Sequence, residues 1–172
     1  FLAAGPTYAL GKRKPQNGYA LLIAVTAILA SLSCLLMASG QEVSFSLPGA
    51  LGLGLSLRAD GFRSLYAAVA CFMWMMTSLF TPEYMAHGHR QGRYCLFTLL
   101  TQGATVGVFL SDDLITAFVF FEILSFTSYC WVTHEETPGA MRAGQTYLAI
   151  AILGGMAMLM GLMLLKMRIG SL

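Results

Sequence analysis

Charged side chains are scarce in this 172-residue chain, because Asp, Glu, Lys and Arg make up only 10% of it while hydrophobic residues make up 57%. Soluble domains usually carry about a quarter charged residues, so the composition excludes an ordinary soluble domain. It predicts an all-α fold, a polytopic bundle of transmembrane helices forming one domain over residues 1–172, located in the cell (plasma) membrane. The net charge of +2 is too small to indicate a nucleic-acid partner.

Cysteine is also rare, and none of the four cysteines forms a CxxC pair. All four lie in apolar segments, which indicates small core residues rather than metal ligands or disulfide partners. An HxH pair, His87 and His89, is interpreted as part of a solvated basic loop rather than as a metal site. No HExxH, GxSxG, P-loop or dinucleotide-binding motif is present, so a hydrolase or nucleotide-binding function has no support. We expect no cofactor and no metal ion.

The chain is instead rich in long apolar runs. Five are long enough to cross a bilayer core of about 30 Å at about 1.5 Å rise per residue. The predicted spans are residues 19–38, 62–81, 94–110, 114–133 and 144–165, with Pro82 ending the second. Residues 1–11 are too short to span and are interpreted as the tail of a truncated first helix, followed by a basic loop at 12–14. Residues 42–47 alternate like a short strand.

Glu122 is the only Asp, Glu, Lys, Arg or His in the apolar run 114–133, and it is the ninth residue of that run. This position is close to the bilayer midplane, where insertion scales put a charged side chain at roughly 3 kcal/mol. We therefore interpret Glu122 as the residue that carries proton or ion translocation. The alternative is a protonated or salt-bridged side chain that only locks helix packing.

Two polar stripes are candidates for an ion path. In the run 94–110, four polar residues share one helix face at i, i+3, i+4 and i+7: Thr98, Thr101, Gln102 and Thr105. Interhelical hydrogen bonds and a hydrated path both fit this face. Ser125 and Tyr129 follow Glu122 at i+3 and i+7, where their hydroxyls could relay a proton or satisfy the carboxyl. Beyond them, His134 and Glu135 fit either membrane-edge solvation or proton collection.

Residues 111–129, with the sequence SDDLITAFVFFEILSFTSY, resemble the antiporter-like membrane subunits. This family occurs in respiratory complex I, in Mrp-type cation/proton antiporters and in energy-converting membrane-bound hydrogenases. The sequence LRADGF at 57–62 and the helix containing Tyr147 are also similar, so the resemblance covers roughly residues 45–165. Phe121 departs from the family, which usually has Trp before this Glu.

The resemblance implies a specific role for Glu122. In the family, a Glu on the fifth helix pairs with a Lys on the seventh, and their interaction gates ion movement through a half-channel. Glu122 matches that Glu, whereas no residue of this chain matches the Lys, and Lys166 is expected at a membrane edge. The chain is therefore expected to be an N-terminal fragment of a longer inverted-repeat bundle.

The predicted function is a proton- or sodium-translocating subunit of a redox-driven complex, such as NADH–quinone oxidoreductase or a membrane-bound hydrogenase, without redox chemistry of its own. The alternatives are a subunit of an Mrp-type monovalent cation/proton antiporter and a non-conducting membrane scaffold. The expected partners are membrane lipid, other membrane and peripheral subunits of the complex, and protons or sodium ions.

Overall fold

Helices dominate the computed structural model, which describes residues 1–49, 54–86, 88 and 90–169. The helices in these ranges are α1 (Ala4–Arg13), α2 (Pro15–Ser39), α3 (Gly61–Tyr84), α4 (Gln91–Leu110), α5 (Leu114–Val132) and α6 (Pro138–Ile169). A single antiparallel hairpin of β1 (Val43–Leu47) and β2 (Leu55–Ala59) connects α2 to α3. The predicted fold class, a transmembrane helix bundle, is confirmed.

Short polar side chains fix where two of the long helices begin. The Asp60 carboxylate accepts a hydrogen bond from the Arg63 backbone N–H at 2.8 Å and caps α3. The Asp113 carboxylate accepts one from the Thr116 N–H at 2.6 Å and caps α5. Each cap satisfies a backbone donor that has no partner within its own helix.

Four of the described helices are long and apolar enough to cross a membrane, namely α2, α3, α5 and α6. The sequence predicts about five complete spans, and one of the predicted spans is not among these four. The exception is α4, which forms as predicted and has 20 residues. It packs against α1, α2, α3 and α5, and because neighbouring helices cover it, it carries polar residues that a lipid-facing helix would exclude.

Two local predictions are wrong. Pro82 does not end its helix, since α3 continues to Tyr84 and holds Pro82 in its last turn. Lys12 and Arg13 belong to α1 rather than to a basic loop. The strand-like segment 42–47 does form a strand, β1, and its partner β2 was missed although residues 55–59, LSLRA, alternate between apolar and polar.

Glycines let the first helices approach closely. A Cβ on Gly18 of α2 would lie 2.7 Å from the Gly11 Cα of α1, and a Cβ on Gly11 would lie 3.0 Å from the Gly92 Cα of α4. A methyl group would not fit at these distances. The short α1 is therefore held between α2 and α4 by backbone contact.

Charged residues collect at the two ends of the bundle. At one end Arg63 pairs with Asp60 and with Asp112, each at 3.0 Å. At the other end Glu136 pairs with Arg93 at 2.6 Å and also with Arg90. The hydrogen bond from Arg93, together with the positive charge of Arg90, lowers the pKa of Glu136.

The hairpin is joined to the turn between α4 and α5 through Ser56 of β2. The Ser56 carbonyl accepts a hydrogen bond from the Asp112 N–H at 3.0 Å, and the Ser56 N–H donates to Thr116 Oγ1 at 3.0 Å. The Ser56 hydroxyl donates to the Asp113 carboxylate. Burial alone would raise the pKa of Asp113, but the hydrogen bonds from Ser56 and Thr116 outweigh it and lower that pKa.

Large apolar side chains cover the outside of the bundle. Phe80, Leu153 and Met160 are more than 60% exposed, and most of α6 outside one narrow stripe is exposed as well. Such a surface is unfavourable in water and favourable in lipid. The chain is a multi-pass membrane protein.

Candidate functional site

Glu122 lies near the middle of α5. It is the ninth of the 19 residues of this helix, which places it about 12 Å along the axis from the first. The cap at Asp113 fixes where α5 starts and therefore fixes the depth of Glu122. The predicted midplane position thus rests on a defined helix start.

The Glu122 carboxyl lies against Gly155 of α6. A Cβ built on Gly155 would be 2.9 Å from the carboxyl carbon and 3.0 Å from Oε2, and it would overlap Oε1. The neighbouring Gly154 has nothing within 4 Å of the same built atom. Gly155 therefore forms a notch in α6 that the carboxyl occupies, whereas Gly154 faces away from it.

One oxygen of this carboxyl has no partner. Glu122 Oε1 is buried and makes no hydrogen bond with any described residue. The described ion pairs all lie at the ends of the bundle. A buried carboxyl oxygen without a hydrogen-bond donor is rare in proteins.

Tyr129, which follows Glu122 on its stripe, also faces α6. The Tyr129 ring lies 3.0 Å from the position of a Cβ on Gly144, and Thr133 contacts the same position. The Ser125 hydroxyl donates to the Phe121 carbonyl at 3.1 Å and so does not donate to Glu122. The structure thus brings Glu122 and Tyr129 to one helix interface, α5 against α6.

The polar face of α4 lies elsewhere in the bundle. Thr98, Thr101 and Gln102 are buried, and Thr105 is half-buried. The three threonine hydroxyls donate to carbonyls of their own helix at 2.7 to 2.9 Å. No hydrogen bond joins the Gln102 amide to Glu122.

The GxxxG pair of α4 does not hold two helix backbones together, although such a pair is typical of that role. Gly107 receives the Phe120 ring of α5, which would lie 2.6 Å or less from a Cβ there, and Gly103 receives the Phe1 ring at 3.3 Å. The two rings stack with centroids 6.4 Å apart. Phe120 therefore faces α4 while Glu122, two residues later, faces α6.

A cavity of about 860 Å³ opens between α3 and α5 at the end of the bundle that carries Arg93 and Glu136. Its walls include Thr81, Tyr84, Tyr94, Trp131, His134 and Glu135. Tyr94 stacks on Trp131 with ring centroids 5.8 Å apart and meets His134 edge-on at the same distance. Each polar stripe has one end near this cavity. The stripe residue nearest to it is Tyr129 on α5 and Thr98 on α4.

The HxH pair that the sequence analysis interprets as part of a solvated basic loop, His87 and His89, lies outside the described residues. Among the residues that the structure does describe, no group of three or more His, Cys, Asp or Glu side chains could hold a metal ion.

The sequence did not single out Gly155 as a site residue. The Gly154–Gly155 pair in a helix rich in Met and Leu was the available signal for a notch in α6.

Sequence comparisons place this chain beside antiporter subunits. It is 33% identical over 122 residues to a probable K⁺/H⁺ antiporter subunit of Rhizobium meliloti, and the match covers 70% of this chain and 12% of that protein. It is 27% identical over 164 residues to an Na⁺/H⁺ antiporter subunit of Staphylococcus epidermidis, and that match covers 93% of this chain and 20% of that protein. No family model matches the chain.

Solved structures show the same fold. The Mrp complex from Dietzia sp. DQ12-45-1b aligns with 99% of this chain at a TM-score of 0.78 and 20% identity, over 20% of its own chain. A membrane-bound sulfane sulfur reductase, an archaeal respiratory membrane complex, aligns with 99% of this chain at a TM-score of 0.79 and 18% identity, over 36% of its own chain. The chain spans about a fifth or less of the curated relatives that it matches. These comparisons confirm the resemblance to the antiporter-like membrane subunits.

Proposed function

We propose that this chain, similar in sequence and fold to the antiporter-like membrane subunits, is part of a proton- or sodium-translocating subunit in which the Glu122 carboxyl binds and releases the ion. One observation carries the proposal: a carboxyl at mid-membrane depth sits in the Gly155 notch with a buried oxygen that no described residue satisfies. The naming of relatives as Na⁺/H⁺ and K⁺/H⁺ antiporter subunits supports it.

The surroundings of Glu122 suit a group that changes its charge. A carboxylate with a fixed cation beside it stays ionised, and one with a full set of hydrogen bonds serves packing. Within the described part of the chain Glu122 has no ion pair, and its Oε1 has no hydrogen bond. The arrival of a proton, a sodium ion or a nearby cation would therefore strongly change the free energy of its charged form.

The cation that switches Glu122 would come from a part of the full-length protein beyond the described residues, as the family resemblance implies. Lys166 does not fit this role. It lies about three helical turns beyond Gly155 on α6, or about 16 Å along the axis. A Lys side chain cannot extend that far.

Ions would reach Glu122 from the end of the bundle that holds the cavity. Tyr129 and Ser125 continue from Glu122 towards that end along α5, where His134 and Glu135 line the cavity. The α4 face starts at the same cavity, because Tyr94 lines it and Thr98 follows one turn deeper. We propose both stripes as wet paths, with Ser125 and Tyr129 on the same helix as Glu122.

The setting would be a multi-subunit membrane complex. Both structural neighbours are described as complexes, and one of them is a respiratory complex. The proposed partners are therefore further membrane and peripheral subunits, surrounding lipid, and protons or sodium ions. Of the two candidate settings, the sequence relatives favour a gradient-driven antiporter over a redox-driven complex.

The substitution Glu122→Gln tests the proposal. Gln keeps the size and hydrogen-bonding shape of the side chain but cannot release a proton. We expect ion transport by the full-length protein in proteoliposomes to fall by about 100-fold or more. Glu83→Gln, which changes an exposed carboxyl at the end of α3, should transport at the wild-type rate.

The competing scaffold function predicts a different pattern. If Glu122 only packs against α6, the Gln variant should assemble and transport normally. Normal transport by correctly assembled Glu122→Gln protein would therefore refute the proposal. Assembly is followed separately by size-exclusion chromatography.

A further inference from the structure

A second cavity, of about 540 Å³, lies between α1 and the starts of α2 and α4. It is at the same end of the bundle as Glu136, because two of its lining residues, Arg90 and Arg93, form the ion pairs of Glu136. Binding sites for small molecules typically enclose about 300–1,000 Å³. This cavity is therefore large enough to hold a ligand.

Positive charge converges on the cavity from two helices. Lys12 lines it from the last turn of α1, and Arg90 and Arg93 line it from the start of α4. Glu136 pairs with both arginines and so offsets one of their two charges. Within the part of the chain that the structure describes, Lys12 has no ion pair, and no Asp or Glu lines the cavity. The cavity thus keeps a net positive charge and favours an anion.

The wall that α1 contributes changes from aromatic to charged along the helix. Tyr8 and Lys12 both line the cavity and lie one helical turn apart on the same face. Tyr8 is 42% exposed, and Leu10 beside it is 39% exposed, so the outer surface of α1 is apolar up to Lys12. Tyrosine is typical of the boundary between membrane and water, and a lysine there extends its ammonium group towards the water. A ligand that matches this wall has an anionic group beside Lys12 and an apolar part along α1.

We infer that this cavity binds the headgroup of an anionic phospholipid, with its phosphate near Lys12, Arg90 and Arg93 and its acyl chains along the outer surface of α1. Arginine and lysine are the usual partners of phosphate, and basic pockets between membrane helices are typical sites for such headgroups. A free phosphate ion would use the same cations but would leave the apolar surface beside them unused. The inference concerns neither Glu122 nor the ion path and is independent of the proposed function.

Photo-cross-linking of the full-length protein in lipid nanodiscs tests the site. The nanodiscs consist of phosphatidylcholine with a small fraction of a phosphatidylglycerol analogue that carries a diazirine in its acyl chain near the headgroup. Mass spectrometry locates the cross-links. We expect cross-links on α1, and we expect unlabelled phosphatidylglycerol to compete them away while an equal fraction of phosphatidylcholine does not.

The test variant is Lys12→Gln, which removes one charge from the cavity at an exposed position. We expect the α1 cross-link to fall about fivefold, the change that corresponds to one Lys near an anionic lipid. Lys12→Arg should cross-link like the wild type. Arg142→Gln, which removes an exposed charge near the start of α6 and away from the cavity, is the matched control and should also cross-link normally. If Lys12→Gln does not assemble, Arg90→Gln makes the same comparison and leaves Arg93 paired with Glu136.

Two results would overturn the inference. The first is an α1 cross-link that is absent from the wild type or equally strong in Lys12→Gln, since lipid binding would then not depend on the cavity. The second is an α1 cross-link that inorganic phosphate abolishes and added phosphatidylglycerol does not, since the cavity would then take free phosphate. Neither result depends on transport, so each can be distinguished from a failure of the proposed function.

Discussion

Glu122 fills a space that a single glycine leaves open. At the residue scale the site therefore has two parts, a carboxyl on α5 and the absence of a side chain on α6. The charge could be recognised from the sequence, since one acid in a long apolar run is conspicuous. The notch could not, because which of two adjacent glycines faces Glu122 depends on the rotation of α6 about its axis.

Replacement of Gln102 tests the polar face of α4. If this face is wet and contributes to the path, Gln102→Leu should slow transport by about tenfold while leaving membrane insertion intact, because an apolar side chain expels the water. Transport is measured in proteoliposomes. Gln145→Leu, the same change at an exposed position on α6, is the control and should have little effect. An unchanged rate in Gln102→Leu would remove this face from the path.

At the scale of elements, β2 is held to the start of α5 through the Asp113 carboxylate. The sequence predicted the helices well, because their apolar runs exceed the length of a span. It missed β2, which is held by its pairing with β1 and by contacts such as that of Ser56 with a residue 57 positions later. It ended α3 too early, because the helix continues for two residues beyond Pro82.

Acid should loosen this attachment. The pKa of Asp113 is lowered from 3.8 in the folded protein, so its stabilising contribution is complete above that ordinary value and is lost as the pH falls through the lower, folded value. We expect the hydrogen-exchange protection of the Ser56 and Asp112 amides to decrease over that acidic range, after correction for intrinsic rates. Asp113→Asn should abolish this decrease, since Asn keeps the cap but does not titrate there. A pH profile identical in both proteins would contradict the role given to Asp113.

At the scale of the whole molecule, the order of helices places charges at both ends and leaves Glu122 as the only carboxyl in the middle of a described span. Hydropathy predicted this sorting, and the ion pairs of Arg63 and Arg93 agree with it. These residues do not specify the energy source for transport. The chain is about a fifth or less of the length of its curated relatives.

A gradient-driven antiporter and a redox-driven complex need different energy sources for transport. A gradient-driven antiporter in proteoliposomes should move protons when a sodium or potassium gradient alone is imposed. A redox-driven complex should do so only when an electron donor and acceptor are added. On the sequence relatives we expect transport under the ion gradient alone. Transport strictly dependent on an electron donor would assign the chain to the redox-driven setting.

The central claim is that Glu122 works from the notch at Gly155, and the adjacent glycine makes a direct test available. The measurement is the proton-transport rate of Gly155→Ala and Gly154→Ala in the full-length protein in proteoliposomes. The first variant places a methyl group against the Glu122 carboxyl, while the second adds the same group where nothing lies within 4 Å. We predict that Gly155→Ala slows transport about tenfold or more, the factor that corresponds to an overpacking cost of about 1.4 kcal/mol, and that Gly154→Ala transports normally. Equal rates in the two variants would contradict the account.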